Sequence, residues 1–123
     1  MKRWMSILFL GAALAASLPG CSKPPKVDPL SGGDPRAGKQ LLGRYGCAAC
    51  HEIKGVRHAR SQVGPSLKDI RKASYVAGVL PNSADNLEKW IMHPREIDPK
   101  TAMPELGVDE AEARDMAAYL YSQ

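Results

Sequence analysis

The chain has 123 residues, enough for one small domain once a targeting segment is removed. Removing residues 1–20, whose only charges are Lys2 and Arg3, lowers the formal net charge from +4 to +2. So small a positive charge gives no support to nucleic-acid binding, and no protease or nucleotide-binding motif is present.

The amino terminus has the features of an export signal. Lys2 and Arg3 precede an apolar run at residues 7–18 that is short for a membrane span. The next residues, Leu-Pro-Gly-Cys at 18–21, resemble a bacterial lipobox, whose cysteine is lipidated and becomes the first mature residue. We predict a lipoprotein signal peptide at 1–20 and an anchor on Cys21, facing the periplasm or the outer face of the cytoplasmic membrane. The alternative is ordinary cleavage that leaves Cys21 a free thiol.

Residues 22–34 contain three prolines and two glycines and almost nothing apolar. This composition predicts a flexible tether, which together with Cys21 forms a segment at 21–34 before a folded domain at 35–123. If extended at about 3.1 Å per residue, the tether would reach about 40 Å.

A first helix is predicted from Pro35 to about Tyr45. Asp34 can cap its free amides, and proline is favoured at the first helical position. Gly38 leaves room for another helix to approach closely, and Gly46 ends the helix.

The next five residues supply two thiols and an imidazole, from Cys47, Cys50 and His51. Each thiol can add to one vinyl group of haem, and the adjoining histidine can be the proximal iron ligand. A closed zinc site would need a second pair of ligands, and a dithiol redox enzyme a strand-helix-strand pattern. Neither follows in this sequence. We therefore predict one covalently bound haem c.

Composition agrees with a haem in the core. From Cys21 onward only 18 of 103 residues are Leu, Ile or Val, which is below the roughly 20% at which a highly charged chain is suspected of disorder. A buried porphyrin would supply the missing apolar surface, so we expect the apoprotein to fold poorly.

Residues 52–65 are predicted to form a basic loop. Lys54, Arg57, His58 and Arg60 are either a solvated face or a patch that steers an acidic redox partner. At the end of the loop, the backbone carbonyl near Pro65 is the candidate acceptor for the second ring N–H of His51, since ligating histidines nearly always have such an outer partner.

A second helix is predicted from a cap at Ser83 through about Met92, before Pro94. We expect Trp90 on this helix to be a core residue. Its buried indole N–H would then need a hydrogen-bond acceptor, such as a haem propionate. A last helix begins at a capping box of Asp109 and Glu112 and should pack on the first helix.

The sixth iron position has five candidates in the mature chain: Met92, Met103, Met116, His58 and His93. Met103 is the best of them, because it follows His51 by 52 residues in a proline-containing loop at 98–107. Met92 and Met116 fall at helical positions, where packing in the core is the simpler explanation for a methionine. A His/Met pair raises the reduction potential and favours electron transfer.

These motifs resemble class I monohaem cytochromes c over residues 34–123. The shared elements are Gly38 and Leu42, the C-x-x-C-H motif at 47–51, Gly-Pro-x-Leu at 64–67, Met-Pro at 103–104, and Ala-Tyr-Leu at 118–120. The resemblance implies thioether bonds at Cys47 and Cys50, axial ligands at His51 and Met103, and supporting contacts from the Pro65 carbonyl and Trp90.

Within that family, residues 77–82 and 86–91 look most like the cytochrome c domain fused to subunit II of certain bacterial haem-copper oxidases. No copper-binding domain precedes them here, which suggests a free-standing, lipid-tethered version.

We therefore expect an all-α cytochrome c fold with helices packed around one haem. Its expected function is that of a monomeric electron carrier without enzymatic activity. Its partners would be redox proteins such as a terminal oxidase or a quinol-oxidising complex. The alternatives are a haem enzyme or small-ligand sensor, if Met103 is labile, and a redox subunit fixed in a larger complex.

Overall fold

A computed structural model describes residues 27–123, so the predicted signal peptide and the predicted lipid anchor at Cys21 lie outside the described residues. The described part contains four α-helices: α1 (Pro35–Arg44), α2 (Ala84–Met92), α3 (Pro94–Ile97) and α4 (Glu110–Tyr121). It also has two 3-10 turns (Cys47–Ala49 and Ile70–Lys72) and one antiparallel pair of strands, β1 (Tyr75–Val76) and β2 (Leu80–Pro81). Within residues 27–123, no helix has the length and apolar character needed to cross a membrane.

The predicted start and end of α1 are confirmed. The Asp34 side chain accepts a hydrogen bond of 2.8 Å from the backbone N–H of Arg36, and Pro35 takes the first helical position. Gly46 follows the helix with φ of +74°, a left-handed conformation that glycine adopts without steric cost. This change of direction carries the chain from α1 into the Cys47–Ala49 turn.

Helices α1 and α4 cross at very close range. A Cβ placed on Gly38 would lie 1.9 Å from the carbonyl oxygen of Asp115, so only glycine fits this backbone contact. This contact confirms that the last helix packs on the first, as the sequence predicted. Around the crossing lies the main buried cluster, which includes Leu42, Leu87, Ile91, Ala113, Met116, Ala117 and Leu120.

Residues 28–34, the last part of the predicted tether, form a turn that is bonded within itself. The Asp28 carboxylate accepts hydrogen bonds from the backbone N–H groups of Leu30 and Ser31, at 3.0 and 2.8 Å. The resulting turn lies on α4, where a Cβ on Gly33 would come within 2.4 Å of the carbonyl oxygen of Arg114. Pro29, Gly32 and Gly33 lie in this turn, and Gly33 allows the chain to lie against the backbone of α4.

The second helix is also confirmed, since the Ser83 hydroxyl accepts from the N–H of Asn86 at 3.2 Å and α2 ends at Met92. The short α3 that follows was not predicted. Pro94 sits at the first position of α3, where its missing N–H costs nothing.

The two-residue strands of the β1–β2 hairpin are a small addition to the predicted all-α fold. Its turn needs positive φ at two consecutive residues, Ala77 at 52° and Gly78 at 74°. The Tyr121 hydroxyl donates to Asn82 Oδ1 at 2.7 Å, and Asn82 Nδ2 donates to the Ile70 carbonyl at the same distance. One asparagine therefore joins the hairpin to α4 and to the preceding turn.

Candidate haem-attachment site

The two motif cysteines and the histidine lie on a single turn of backbone. The N–H groups of Cys50 and His51 both donate to the carbonyl of Cys47, at 3.2 and 3.0 Å. Cys47 and Cys50 are free thiols, and all three side chains are half-buried. This turn presents two sulfurs and one imidazole together, as covalent haem attachment requires.

The pKa of the Cys47 thiol bears on the alternative that this motif belongs to a dithiol redox enzyme. Burial raises the pKa of the Cys47 thiol above its ordinary value, and the neighbouring Cys50 adds to the shift. Reactive cysteines of dithiol redox enzymes have lowered pKa values instead. The Cys47 environment is therefore unlike that of an activated redox thiol.

His51 has one ring nitrogen engaged. Its Nδ1 lies 2.7 Å from the carbonyl oxygen of Pro65. A carbonyl can only accept, so Nδ1 carries the proton and Nε2 keeps the lone pair with which an imidazole binds a metal. This is the orientation expected of an axial ligand with its outer hydrogen-bond partner.

The loop that carries the Pro65 carbonyl is fastened at both of its ends. The Gly64 N–H donates to the Cys50 carbonyl at 2.7 Å, and the Leu67 N–H donates to the Glu52 carbonyl at 2.9 Å. Lys68 Nζ lies 2.5 Å from the Glu52 carboxylate, and this hydrogen bond is the main reason why the pKa of Glu52 is lowered. The acceptor for His51 is therefore held by bonds to the residues on either side of the histidine.

The close contact between Gly64 and the His51 ring was not predicted from the sequence. A Cβ at this position would lie 2.6 Å from Cε1 of His51 and 2.9 Å from its Nδ1. A Gly-Pro pair in the sequence indicates a turn, and nothing in it shows that the glycine faces the histidine ring.

Met103 and Trp90 lie in other parts of the fold. Met103 is half-buried in a segment at 98–109 without helix or strand, and its N–H donates to Thr101 Oγ1 at 3.2 Å. Trp90 is half-buried on α2, packed against the main buried cluster. Within residues 27–123 no hydrogen bond joins either side chain to the attachment turn.

The remaining sixth-ligand candidates have other environments. Met116 is fully buried among core residues of α4. His58 is exposed in the basic loop with φ of 61°, and His93 is exposed with Nδ1 3.9 Å from Glu96. Met92 is half-buried at the end of α2.

Glu112 links the end of α1 to the start of α4. Its carboxylate accepts from the Tyr45 hydroxyl and pairs with Arg44, both at the end of α1 just before Cys47. The same side chain completes the capping box with Asp109, where the segment carrying Met103 ends. Sequence analysis predicted only the cap, and the bond to Tyr45, which raises the pKa of the phenol, was missed.

The residues present fit a covalently attached haem. Two thiols are free, the imidazole has its Nδ1 satisfied, and both lie on one turn that is partly withdrawn from water. Among residues 27–123 there is no group of three or more His, Cys, Asp or Glu able to hold a bare metal ion. The arrangement is that of a domain which attaches haem covalently.

Comparison with known proteins gives the family. The profile described as Cytochrome c matches residues 35–123, and this chain belongs to the cytochrome c family. It is 30% identical over 86 residues to cytochrome c oxidase subunit 2 of Alkalihalophilus pseudofirmus, covering 69% of this chain and 24% of that protein. The subunit of the same name from Bacillus sp. (strain PS3) is 26% identical over 93 residues, covering 74% and 25%. This chain therefore spans about a quarter of the length of these curated relatives.

A solved structure agrees on the fold. Cytochrome cH from Methylobacterium extorquens superimposes with a TM-score of 0.55 at 24% identity, covering 74% of this chain and all of the other. The chain is thus a class I monohaem cytochrome c, whose family implies covalent haem c and electron transfer. Apart from the small hairpin, the predicted helical fold is confirmed.

Proposed function

We propose that the protein is a monomeric, membrane-tethered carrier that moves single electrons through one haem c ligated by His51 and Met103. The tether is a lipid on Cys21, on the periplasmic side or the outer face of the cytoplasmic membrane. Its redox partners are respiratory proteins such as a terminal oxidase or a quinol-oxidising complex. The carrier itself has no enzymatic activity.

One observation carries this proposal. Cys47, Cys50 and His51 share one turn, and His51 Nδ1 is bonded to the Pro65 carbonyl at 2.7 Å. When bound, the haem supplies a metal centre that gains and loses one electron. The chain's own residues fix it: the thiols attach it, and the Pro65 carbonyl orients the imidazole and raises its basicity.

Met103 would be the second protein ligand of the iron. Its thioether would favour the reduced iron and would exclude other ligands. Trp90, half-buried on α2, can offer its indole N–H to a propionate.

The basic loop supports an acidic redox partner. Lys54, Arg57, His58 and Arg60 are exposed, and Val63 in the same loop is 80% exposed, close to the attachment turn. Positive charge around an apolar residue speeds encounter with a negatively charged surface. The two curated relatives are named as oxidase subunits, which supports a terminal oxidase as the acceptor.

A second function is favoured by the segment at 98–109. It has no regular secondary structure, and Met103 is held there by a bond from its own N–H to Thr101. If the thioether dissociates readily, the iron binds small ligands and the protein is a haem enzyme or sensor.

Optical spectra of Met103→Ala beside wild type distinguish these functions. Both are made in a host with cytochrome c maturation machinery. We expect a weak ferric band near the red end of the visible spectrum in wild type, its loss in Met103→Ala, and a lower reduction potential in that variant. Met92→Ala, the same truncation of another half-buried methionine, should keep the band. Wild type that lacks the band and binds carbon monoxide when reduced would contradict the carrier proposal.

A further inference from the structure

Gly64 lies where its backbone alone does not require glycine. Residues 32, 46, 55, 78 and 107 are the glycines with positive φ among residues 27–123, and Gly64 is outside that set. The following Pro65 restricts residue 64 to extended backbone, which any amino acid adopts. The absence of a side chain at this position therefore has another cause.

The cause is the imidazole ring of His51. A Cβ on Gly64 would lie 2.6 Å from Cε1, 2.9 Å from Nδ1 and 3.2 Å from Nε2. Optimal contact between carbon atoms is at about 3.5–4.0 Å, so a methyl group would overlap the ring strongly. The three atoms form the edge of the imidazole that carries both nitrogens, one bonded to Pro65 and the other free to bind iron.

Gly64 cannot move aside without breaking a bond. Its N–H donates to the Cys50 carbonyl at 2.7 Å, and its neighbour Pro65 supplies the acceptor for His51 Nδ1. A side chain at 64 would therefore turn the ring or lengthen the bond between Nδ1 and the Pro65 carbonyl.

We infer that Gly64 is a positioning residue for the axial histidine: its bare Cα fixes the rotation of the His51 ring and keeps Nδ1 bonded to the Pro65 carbonyl. This inference rests on the proposed ligation by His51. A weaker bond at Nδ1 makes the imidazole a poorer donor, which disfavours the ferric iron and raises the reduction potential.

The test is a set of three Gly→Ala variants in the holoprotein. Gly64→Ala should shift the one-electron equilibrium towards the reduced form by about tenfold, or about 59 mV, as measured by spectroelectrochemical titration. Gly43→Ala is the matched control, because nothing lies within 4 Å of a Cβ there. Gly38→Ala controls for stability, because its Cβ meets Asp115 on α4 and not the histidine. Both controls should keep the wild-type potential in their folded fraction.

Two outcomes decide the inference. A Gly64→Ala potential equal to that of Gly43→Ala overturns it, although the carrier function stands if wild type has the His/Met spectrum. If Gly64→Ala attaches too little haem to titrate, haem per polypeptide is compared with Gly38→Ala. A deficit confined to Gly64→Ala supports the inference, and an equal deficit in both variants contradicts it.

Discussion

The α1–α4 crossing and the haem side of this domain are built in opposite ways. At the crossing, helix backbones touch at Gly38 and Asp115, and the surrounding side chains are almost wholly buried. On the proposed haem side, the attachment turn is half-buried and the segment at 98–109 has neither helix nor strand. One region is built from closely packed helices, whereas the other is built from turns and irregular chain.

The difference shows how a chain with so few large apolar residues can fold. The crossing uses small residues such as Ala113 and Ala117, which bury little surface each but allow close approach. A bound haem would supply the apolar surface that is lacking. Stability and function would then depend on the same prosthetic group.

The largest effect is expected when the haem is removed. We expect Cys47→Ser/Cys50→Ser to lose covalent haem and most of its far-ultraviolet helical signal, because the crossing alone cannot offset the chain entropy. Circular dichroism and a haem stain after denaturing electrophoresis measure both effects. A haem-free variant that unfolds cooperatively from a native-like spectrum would show that the crossing suffices.

The next test breaks the crossing and leaves the haem side alone. Gly38→Ala forces a methyl group into the Asp115 carbonyl, so we expect the holoprotein to lose about 1–3 kcal/mol or more of unfolding free energy. Gly43→Ala, on the open side of α1, should gain up to about 1 kcal/mol, since alanine favours helix. Denaturant titrations of the two holoproteins compare them. Equal stabilities would mean that the helices do not cross this closely.

The smallest effect concerns Glu88, which is buried on α2 beside α4. Burial raises the pKa of its carboxyl; Asp85 and Glu110 add to the shift, and Arg114 opposes it. As pH rises through the ordinary carboxyl range, the unfolded chain ionises Glu88 more readily than the folded chain, so stability falls. Glu88→Gln should thus be more stable than wild type at neutral pH, and the difference should vanish below about pH 4. Thermal melts across this range measure it. A less stable variant at neutral pH would contradict the expected sign.

Local signals predicted much of this fold. The caps at Asp34, Ser83 and Asp109 were read from single residues and are confirmed, because a cap depends on atoms within one helical turn. The hairpin was missed because Ala77 adopts a positive φ that alanine rarely takes, and only the surrounding structure imposes it.

In the candidate site, too, local features were predicted and contacts between distant residues were missed. The attachment turn follows from the spacing of Cys47, Cys50 and His51, which is local in sequence. The packing of Gly64 on His51 and of Gly33 on α4 joins residues far apart in the chain. A glycine in sequence does not show which distant atom occupies the space that its missing side chain leaves.

If the protein is lipid-anchored as proposed, the turn at residues 28–34 would limit how far the domain can lie from the bilayer. If Cys21 carries the lipid, only residues 22–27 separate it from Asp28, which is already bonded into the turn on α4. At about 3.3–3.6 Å per residue, this stretch spans at most about 25 Å. The domain would then stay close to the membrane surface, and a redox partner in the same membrane would have to offer its docking surface there.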